Sequence, residues 1–488
     1  MKKKKISKII TLALASMLLL STFPFFGGCK VKAPDYSQSN TNINLYALYG
    51  PTDGRKSGGR LMGDGTDQRT LERYQEYKDA GFNILIIENE AAYSGQEWST
   101  SATKKVMDMC FEVGLDVIVH DTRLFRMCRS TDGKVVPLIG QTFNGVKIKT
   151  QDDLNEVVGE YMKDYAKHPA FYGVYVMDEP VDEEMPNCLM TVKAIKAVSP
   201  DAFIHLCLQT STMQDFIPEY AEQGWTDLVY DNYHAMYDRV TQVDVNHYVE
   251  GVDKKKVGNN FIGGLEYSAN LAREKNMRLG TVTLQNFGGG TASHNGATNY
   301  GWRTIDEVDM RYGVYVSLAY APQYLVWFHY WASRYSTEPE NPVSSWMDEY
   351  GNKVWYDEGK KLNEQILKYG KVLSHFVFQG AHYYTSDRRL PNYYQVENDY
   401  EVKGATADIT DGEMILSELY DAEKGQTGYF IVNSKAPYER KDLTATVKFS
   451  GKKRAVVYKN GDPEIVTLKN GKLKVSLDCA DGIFVLPF

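Results

Sequence analysis

The stretch Phe171-Tyr-Gly-Val-Tyr-Val-Met-Asp-Glu-Pro180 decides how the rest of the chain is read. Strand-forming residues run into Asp178 and Glu179, and Pro180 lacks the N–H for the next ladder bond. Two neighbouring carboxyls therefore stand where a buried strand ends. Barrels of parallel strands keep their chemistry at such ends, which makes Glu179 the leading candidate for a general acid. Alternation along the strand sends Val174 and Val176 toward the helices and Gly173, Tyr175, Met177 and Glu179 inward. Asp178 joins Glu179 at the mouth only if the strand end bulges. The later acids Asp182, Glu183 and Glu184 lie past the proline and read as a solvated loop.

Working outward, the same unit recurs on both sides. Apolar runs at 43–49, 82–88, 115–121, 202–208, 226–233, 280–285 and 324–330 have strand length, and helical spacing fills the gaps between runs. Leu71, Tyr74 and Tyr77 share one helix face; Val106, Cys110 and Val113 share another, which Gly114 ends; Leu154, Val157, Val158 and Tyr161 make a third. Further helices are expected around Leu189, Val192 and Ile195, and at 266–275, 306–320 and 353–373. Eight strands alternating with seven helical segments predict an α/β fold, a (β/α)₈ TIM barrel over 43–375. A doubly wound open sheet would carry a glycine-rich nucleotide turn after its first strand. The glycine-rich loop after residue 50 has no Gly-Lys-Ser/Thr ending and reads as a rim loop.

From residue 376 the texture changes to short alternating segments separated by turn residues such as Asn460-Gly461 and Asn470-Gly471, so 376–488 is expected to be an all-β sandwich. At the other end, four lysines precede an apolar run that closes on Gly27-Gly28-Cys29. This layout resembles a bacterial lipoprotein signal, which implies a leader over 1–28, lipidation of Cys29, a tether over 29–42, and a protein on the bacterial cell surface or secreted. A membrane-spanning anchor is the other reading of the same run. Loss of the five leader lysines would take the formal charge from −8 to −13. So acidic a surface excludes nucleic acid as a partner and leaves the lipid as the contact with the membrane. Cys110 and Cys207 lie in apolar periodic stretches and read as core residues, with no spacing that suggests a disulfide framework or a zinc site.

The remaining strand ends supply Glu88 and Glu90, His120 and Asp121, Asp231 and Tyr233, Gln285 and Asn286, and Trp327, His329 and Tyr330. Carboxylates, amides and aromatics gathered on one face suit a sugar, since ring faces stack on pyranoses while the polar groups bind hydroxyls. The histidines occur singly, without the His-x-His that would signal a metal-dependent hydrolase, so neither a metal nor another cofactor is expected.

Asp-Glu-Pro after strand four, Tyr230-Asp-Asn-Tyr233 after strand six and the run from Arg303 to Tyr330 around strand eight resemble the large clan of (β/α)₈-barrel glycoside hydrolases. The clan includes β-galactosidase-like members with C-terminal β domains. The resemblance implies a glycosidase acting on an oligo- or polysaccharide, with the acid/base Glu after strand four matched by Glu179. It also implies an Asn before that Glu, where this chain has Asp178, and a nucleophilic Glu after strand seven, where it reads Leu284-Gln285-Asn286. A double displacement needs that second carboxylate. Two routes stay open. The Asp178–Glu179 pair resembles substrate-assisted hexosaminidases, in which the Asp orients a 2-acetamido group and the Glu protonates the leaving oxygen. Alternatively, an inverting enzyme would use Asp231 or Asp121 as the base. The loss of the strand-seven carboxylate also fits a glycan-binding lipoprotein with a degenerate barrel.

Overall fold

The computed structural model describes residues 32–55, 63–88, 91–129, 134–208, 219–220, 222–223, 225–238, 261–288, 291–294, 297–331, 345–385 and 400–488. The expected leader, Cys29 and Glu90 lie outside these.

Eight parallel strands form one sheet: β1 (Asn44–Ala47), β2 (Ile84–Ile86), β3 (Asp116–His120), β4 (Phe171–Asp178), β5 (Phe203–Leu208), β6 (Asp227–Asp231), β7 (Arg278–Gln285) and β8 (Tyr324–Phe328). Their spatial order is β1-β8-β7-β6-β5-β4-β3-β2. The seam between β1 and β2 is held by Asn83. Its backbone N–H donates to the Leu45 carbonyl at 3.0 Å, and its side-chain oxygen accepts the Leu45 N–H at 2.7 Å. Tyr46, Ile84, Ile118, Tyr175, Phe203, Val229, Val282, Tyr324 and Val326 fill the interior, as bulky side chains do in a closed barrel of this size.

The helices outside are α1 (Leu71–Asp79), α2 (Ala102–Val113), α3 (Gln151–Met162), α4 (Met185–Val198), α5 (Phe261–Glu274), α6 (Glu307–Leu318) and α7 (Tyr356–Leu373). Most of the segment joining β5 to β6 lies outside the described residues. Local chemistry sets the helix ends. Thr150 with Asp153, and Asp306 with Asp309, form capping boxes, while Gly114 closes α2 in the left-handed region.

Beyond α7 come nine antiparallel strands: β9 (Val377–Thr385), β10 (Ala405–Asp411), β11 (Glu413–Asp421), β12 (Gln426–Asn433), β13 (Leu443–Phe449), β14 (Arg454–Lys459), β15 (Asp462–Thr467), β16 (Lys472–Leu477) and β17 (Gly482–Pro487). They form a six-stranded sheet ordered β9-β11-β12-β17-β14-β15 and a three-stranded sheet ordered β10-β13-β16. The fold is thus a TIM barrel followed by a β-sandwich. The central strands of the larger sheet are buried on both faces. Met414, Leu416, Ile431 and Val485 pack toward the small sheet, whereas Ile415, Leu419, Phe430, Val432 and Phe484 join the core that includes the barrel's helices. Such double burial is confined to the central strands, and the edge strand Asp462–Thr467 is largely exposed.

Polar contacts mark the joint. The Tyr369 hydroxyl on α7 lies 3.1 Å from the carbonyls of both Tyr458 and Gly482. The Tyr383 hydroxyl donates to the buried carboxyl of Glu266 at 2.6 Å, and burial pushes that carboxyl up to about 7. Within the stretch expected as a tether, Tyr36 is buried against His375 and Phe376, and its hydroxyl donates to Asp421 at 2.8 Å.

The strand that carries the carboxyls depends on Gly173. A Cβ there would lie 2.2 Å from the Phe203 carbonyl oxygen of β5, so a side chain must force the two strands apart. Gly173→Ala is expected to lower the unfolding free energy by about 3 kcal/mol, as severe overpacking does. Urea denaturation checks this, and an unchanged midpoint would refute it.

Candidate active site

Strand β4 is irregular twice. Its register with β3 shifts between Phe171 and Gly173, and its register with β5 shifts between Tyr175 and Met177. The second shift inserts Val176 as an extra residue, so Val176 and Met177 both join the outer core while Tyr175 belongs to the interior. Met177 therefore does not point inward, as simple alternation predicts. Asp178, one step later, is exposed at the strand end, where the charge of Glu179 and the Cys207 thiol act on it. A bulge re-aims every side chain beyond it.

Glu179 leaves the strand in the left-handed region, with φ +44°, while its N–H still donates to the Cys207 carbonyl at 3.0 Å. A non-glycine residue in this region is strained, and such strain gathers at functional sites. The turn brings the Glu179 carboxyl near enough to Asp231, at the end of β6, for its charge to act there. Asp178 and Glu179 are open to solvent, whereas Asp231 beneath them is buried.

The charge of Glu179 acts on both Asp178 and Asp231. Asp231 is held well above the ordinary carboxylate range by burial and then by Glu179; the Tyr233 hydroxyl, which hydrogen-bonds it, acts in the opposite direction. The side chain of Asp178 is reached by water from above yet crowded by protein on its other sides. That desolvation, ahead of the Glu179 charge, pushes it up to about 6, with Arg129 opposing. Like charges in one recess oppose one another's ionisation, which adds to the upward shifts of Asp178 and Asp231.

An aromatic wall faces these acids. Tyr233 packs on Phe287 at 5.0 Å, on Trp302 at 5.7 Å and on Phe328 at 5.7 Å, and Tyr49 meets Phe328 at 5.6 Å. Tyr49, Tyr233, Trp302 and Phe328 keep part of their surface open. Trp302 ends the strand Ala297–Trp302, which pairs with Thr291–His294 and with Met236–Asp238 in a small antiparallel sheet built from the loops after β6 and β7. The sequence offered no signal for Tyr49, Phe287, Trp302 or Phe328 beyond their being aromatic, because a loop residue's reach depends on pairing between distant loops.

The other expected site residues divide by position. Glu88, just past β2, is buried near enough to Tyr175 for its charge to raise that hydroxyl. His120 packs edge-on to Tyr175 at 5.1 Å. Neither of its ring nitrogens is hydrogen-bonded among the described residues, and burial lowers its pKa to about 4, so it is neutral at pH 7. Gln285 and Asn286 are buried and hold the rim in place. Gln285 accepts the Ala235 N–H and donates to the Phe287 carbonyl, both at 3.0 Å, while Asn286 donates to the His329 carbonyl at 2.7 Å. His329 lies wholly buried against Phe287 and Tyr49.

Three expectations are corrected. Asp121 is fully buried, caps the helix Thr122–Cys128 and is held by the Arg123 guanidinium at 2.7 and 3.0 Å, so it cannot act as a base at the mouth. Trp327 turns to the helices, where its N–H donates to Asn363 at 2.8 Å. Tyr330 packs in the outer core against Tyr77 and Phe82. Parity along β8 and the chain beyond it decides the last two.

The raised Asp178 pKa fixes the sign of a stability effect. The folded carboxyl holds a proton that the unfolded chain has already released, so its stabilising contribution is present in acid and is lost as pH rises through about 6. Asp178→Asn removes the charged state. Its melting temperature is expected to exceed that of the wild type above pH 6.5 and to match it at pH 4, as read by differential scanning calorimetry.

No protein-family model and no curated protein matches the chain. Among solved structures, a β-galactosidase from Bacillus circulans sp. alkalophilus aligns with a TM-score of 0.52 at 10% identity, over 92% of this chain and 99% of that one. A family 5 glycoside hydrolase from Bacteroides vulgatus ATCC 8482 gives 0.49 at 10% identity, over 91% and 89%. A family 39 glycoside hydrolase from the gut symbiont Bacteroides cellulosilyticus WH2 gives 0.47 at 10%, over 94% and 82%. At this identity the likeness is one of fold: in architecture the chain resembles (β/α)₈-barrel glycoside hydrolases.

Proposed function

We propose that the chain is an exported glycoside hydrolase, anchored at the cell surface through a lipid on Cys29, that cleaves 2-acetamido glycosides with Glu179 as general acid. The observation that carries this reading is the cluster of Asp178, Glu179 and Asp231 at the barrel mouth, facing an aromatic wall. A sugar ring stacked on Tyr233 and Trp302 would present its anomeric carbon to the acids.

In this mechanism the acetamido carbonyl oxygen attacks the anomeric carbon. Asp178 accepts a hydrogen bond from the acetamido N–H, and Glu179 gives its proton to the departing oxygen. Water then opens the cyclic intermediate, with Glu179 taking up the proton. Asp231, raised by burial and then by the charge of Glu179, holds its own proton more readily than an ordinary carboxyl beside the acid. The inverting alternative fits less well. It requires a base open to a water molecule, whereas Asp231 is buried and Asp121 is bound to Arg123. Gln285, engaged by backbone groups on both sides, supports a route with no strand-seven nucleophile.

The test is hydrolysis of aryl 2-acetamido-2-deoxy glycosides beside their 2-hydroxy counterparts. Turnover is expected on the acetamido series alone, with Glu179→Gln lowering kcat by about 10²–10⁴-fold and Asp178→Asn lowering it on the same substrates. Equal turnover of the 2-hydroxy series would refute substrate assistance. Binding of the glycosides without turnover would identify a glycan-binding protein instead.

A further inference from the structure

Cys128 and Cys188 are fully buried and stand side by side. Cys128 is the last residue of the helix Thr122–Cys128 after β3, and Cys188 sits in the first turn of α4, just beyond the Asp178–Glu179–Pro180 corner. These helices pack directly on each other, and the two thiols lie near enough for one to act on the other. Both are free thiols in this structure. Chain direction favours a link. Arg129 is already extended, at φ −74° and ψ 143°, so Cys128 ends its helix and is not locked inside one. Cys110, Cys207 and Cys479, by contrast, are distributed through the barrel's outer core and its interior.

We propose that Cys128 and Cys188 form a disulfide when the chain folds in an oxidising medium. The oxidant is a disulfide donor, either a small molecule or a thiol–disulfide oxidoreductase. One cysteine thiolate attacks the donor's S–S bond, giving a mixed disulfide and releasing the first donor thiolate. The second cysteine thiolate then displaces the other donor sulfur and closes the Cys128–Cys188 bond. Two electrons pass from the cysteines to the donor, which leaves as two thiols, and the cysteine protons pass to solvent or to the departing sulfurs. Because both sulfurs are sealed in the finished fold, exchange takes place before packing is complete.

The link would join the segment carrying Arg129, whose charge acts on Asp178, to the helix that follows Pro180. It would therefore brace the carboxyl corner from both sides. It rests on the packing of two helices and holds whatever the substrate is.

To test it, the full chain is denatured, reduced and refolded in a buffer of oxidised and reduced glutathione, then alkylated under denaturing conditions and digested with trypsin. The expected product joins the peptide 127–129 to the peptide 168–193 and is two hydrogens lighter than the pair. The oxidised chain is expected to melt about 5 °C higher than the same chain refolded and melted in a reducing thiol without oxidant. Cys128→Ala and, separately, Cys188→Ala should lose both the cross-link and the response to reductant. Recovery of both cysteines alkylated after oxidative refolding would overturn the proposal, as would a wild-type melting temperature indifferent to reductant.

Discussion

One extra residue in one strand organises the candidate site. Without the bulge at Val176, Asp178 would continue the alternation of β4 and point into the helix layer, where an unpaired carboxyl is costly. With it, Met177 takes the apolar place and two consecutive acids stand exposed at the strand end. The same displacement lets Glu179 turn through the left-handed region and reach Asp231 across β5. Pro180 ends the ladder directly afterwards, so the strand cannot correct its register farther on.

The bulge is tolerated because its surroundings are held elsewhere. Gly173 lets β4 approach β5 closely below it, Asn83 clamps the seam between the first two strands, and Gln285 and Asn286 fix the opposite rim through backbone bonds. Behind the barrel, the central strands of the sandwich's six-stranded sheet are buried on both faces and pack on the helix layer. Barrel and sandwich share one apolar core, so the outer layer that positions the strands is itself supported from outside.

Three acids in one recess work against stability, since burial and mutual repulsion penalise their charged forms. Asp121 shows the contrasting solution at the end of the neighbouring strand β3: fully buried, it is matched by a guanidinium and a helix N-terminus, and it serves the fold. A carboxyl cluster opposed at Asp178 by no more than the Cys207 thiol and the outlying charge of Arg129 is what proton transfer requires and what packing alone would not select.

Much of this was legible in the chain itself. Periodicity and punctuation located all eight strands, the capping residues marked helix ends, and the switch to short alternating segments located the sandwich, because these signals are local. Asp178, Glu179, Asp231 and Tyr233 stood out for the same reason, as polar residues closing apolar runs. What lay beyond reach depended on neighbours distant in sequence. Parity at a bulge placed Asp178, and pairing between loops brought Trp302 to the wall. Trp327 and Tyr330 turned outward. Sequence determined the elements and which of their ends carried acids. Only the tertiary structure decided which of those side chains share one recess, because a strand's inward face is set by its register against the strands beside it.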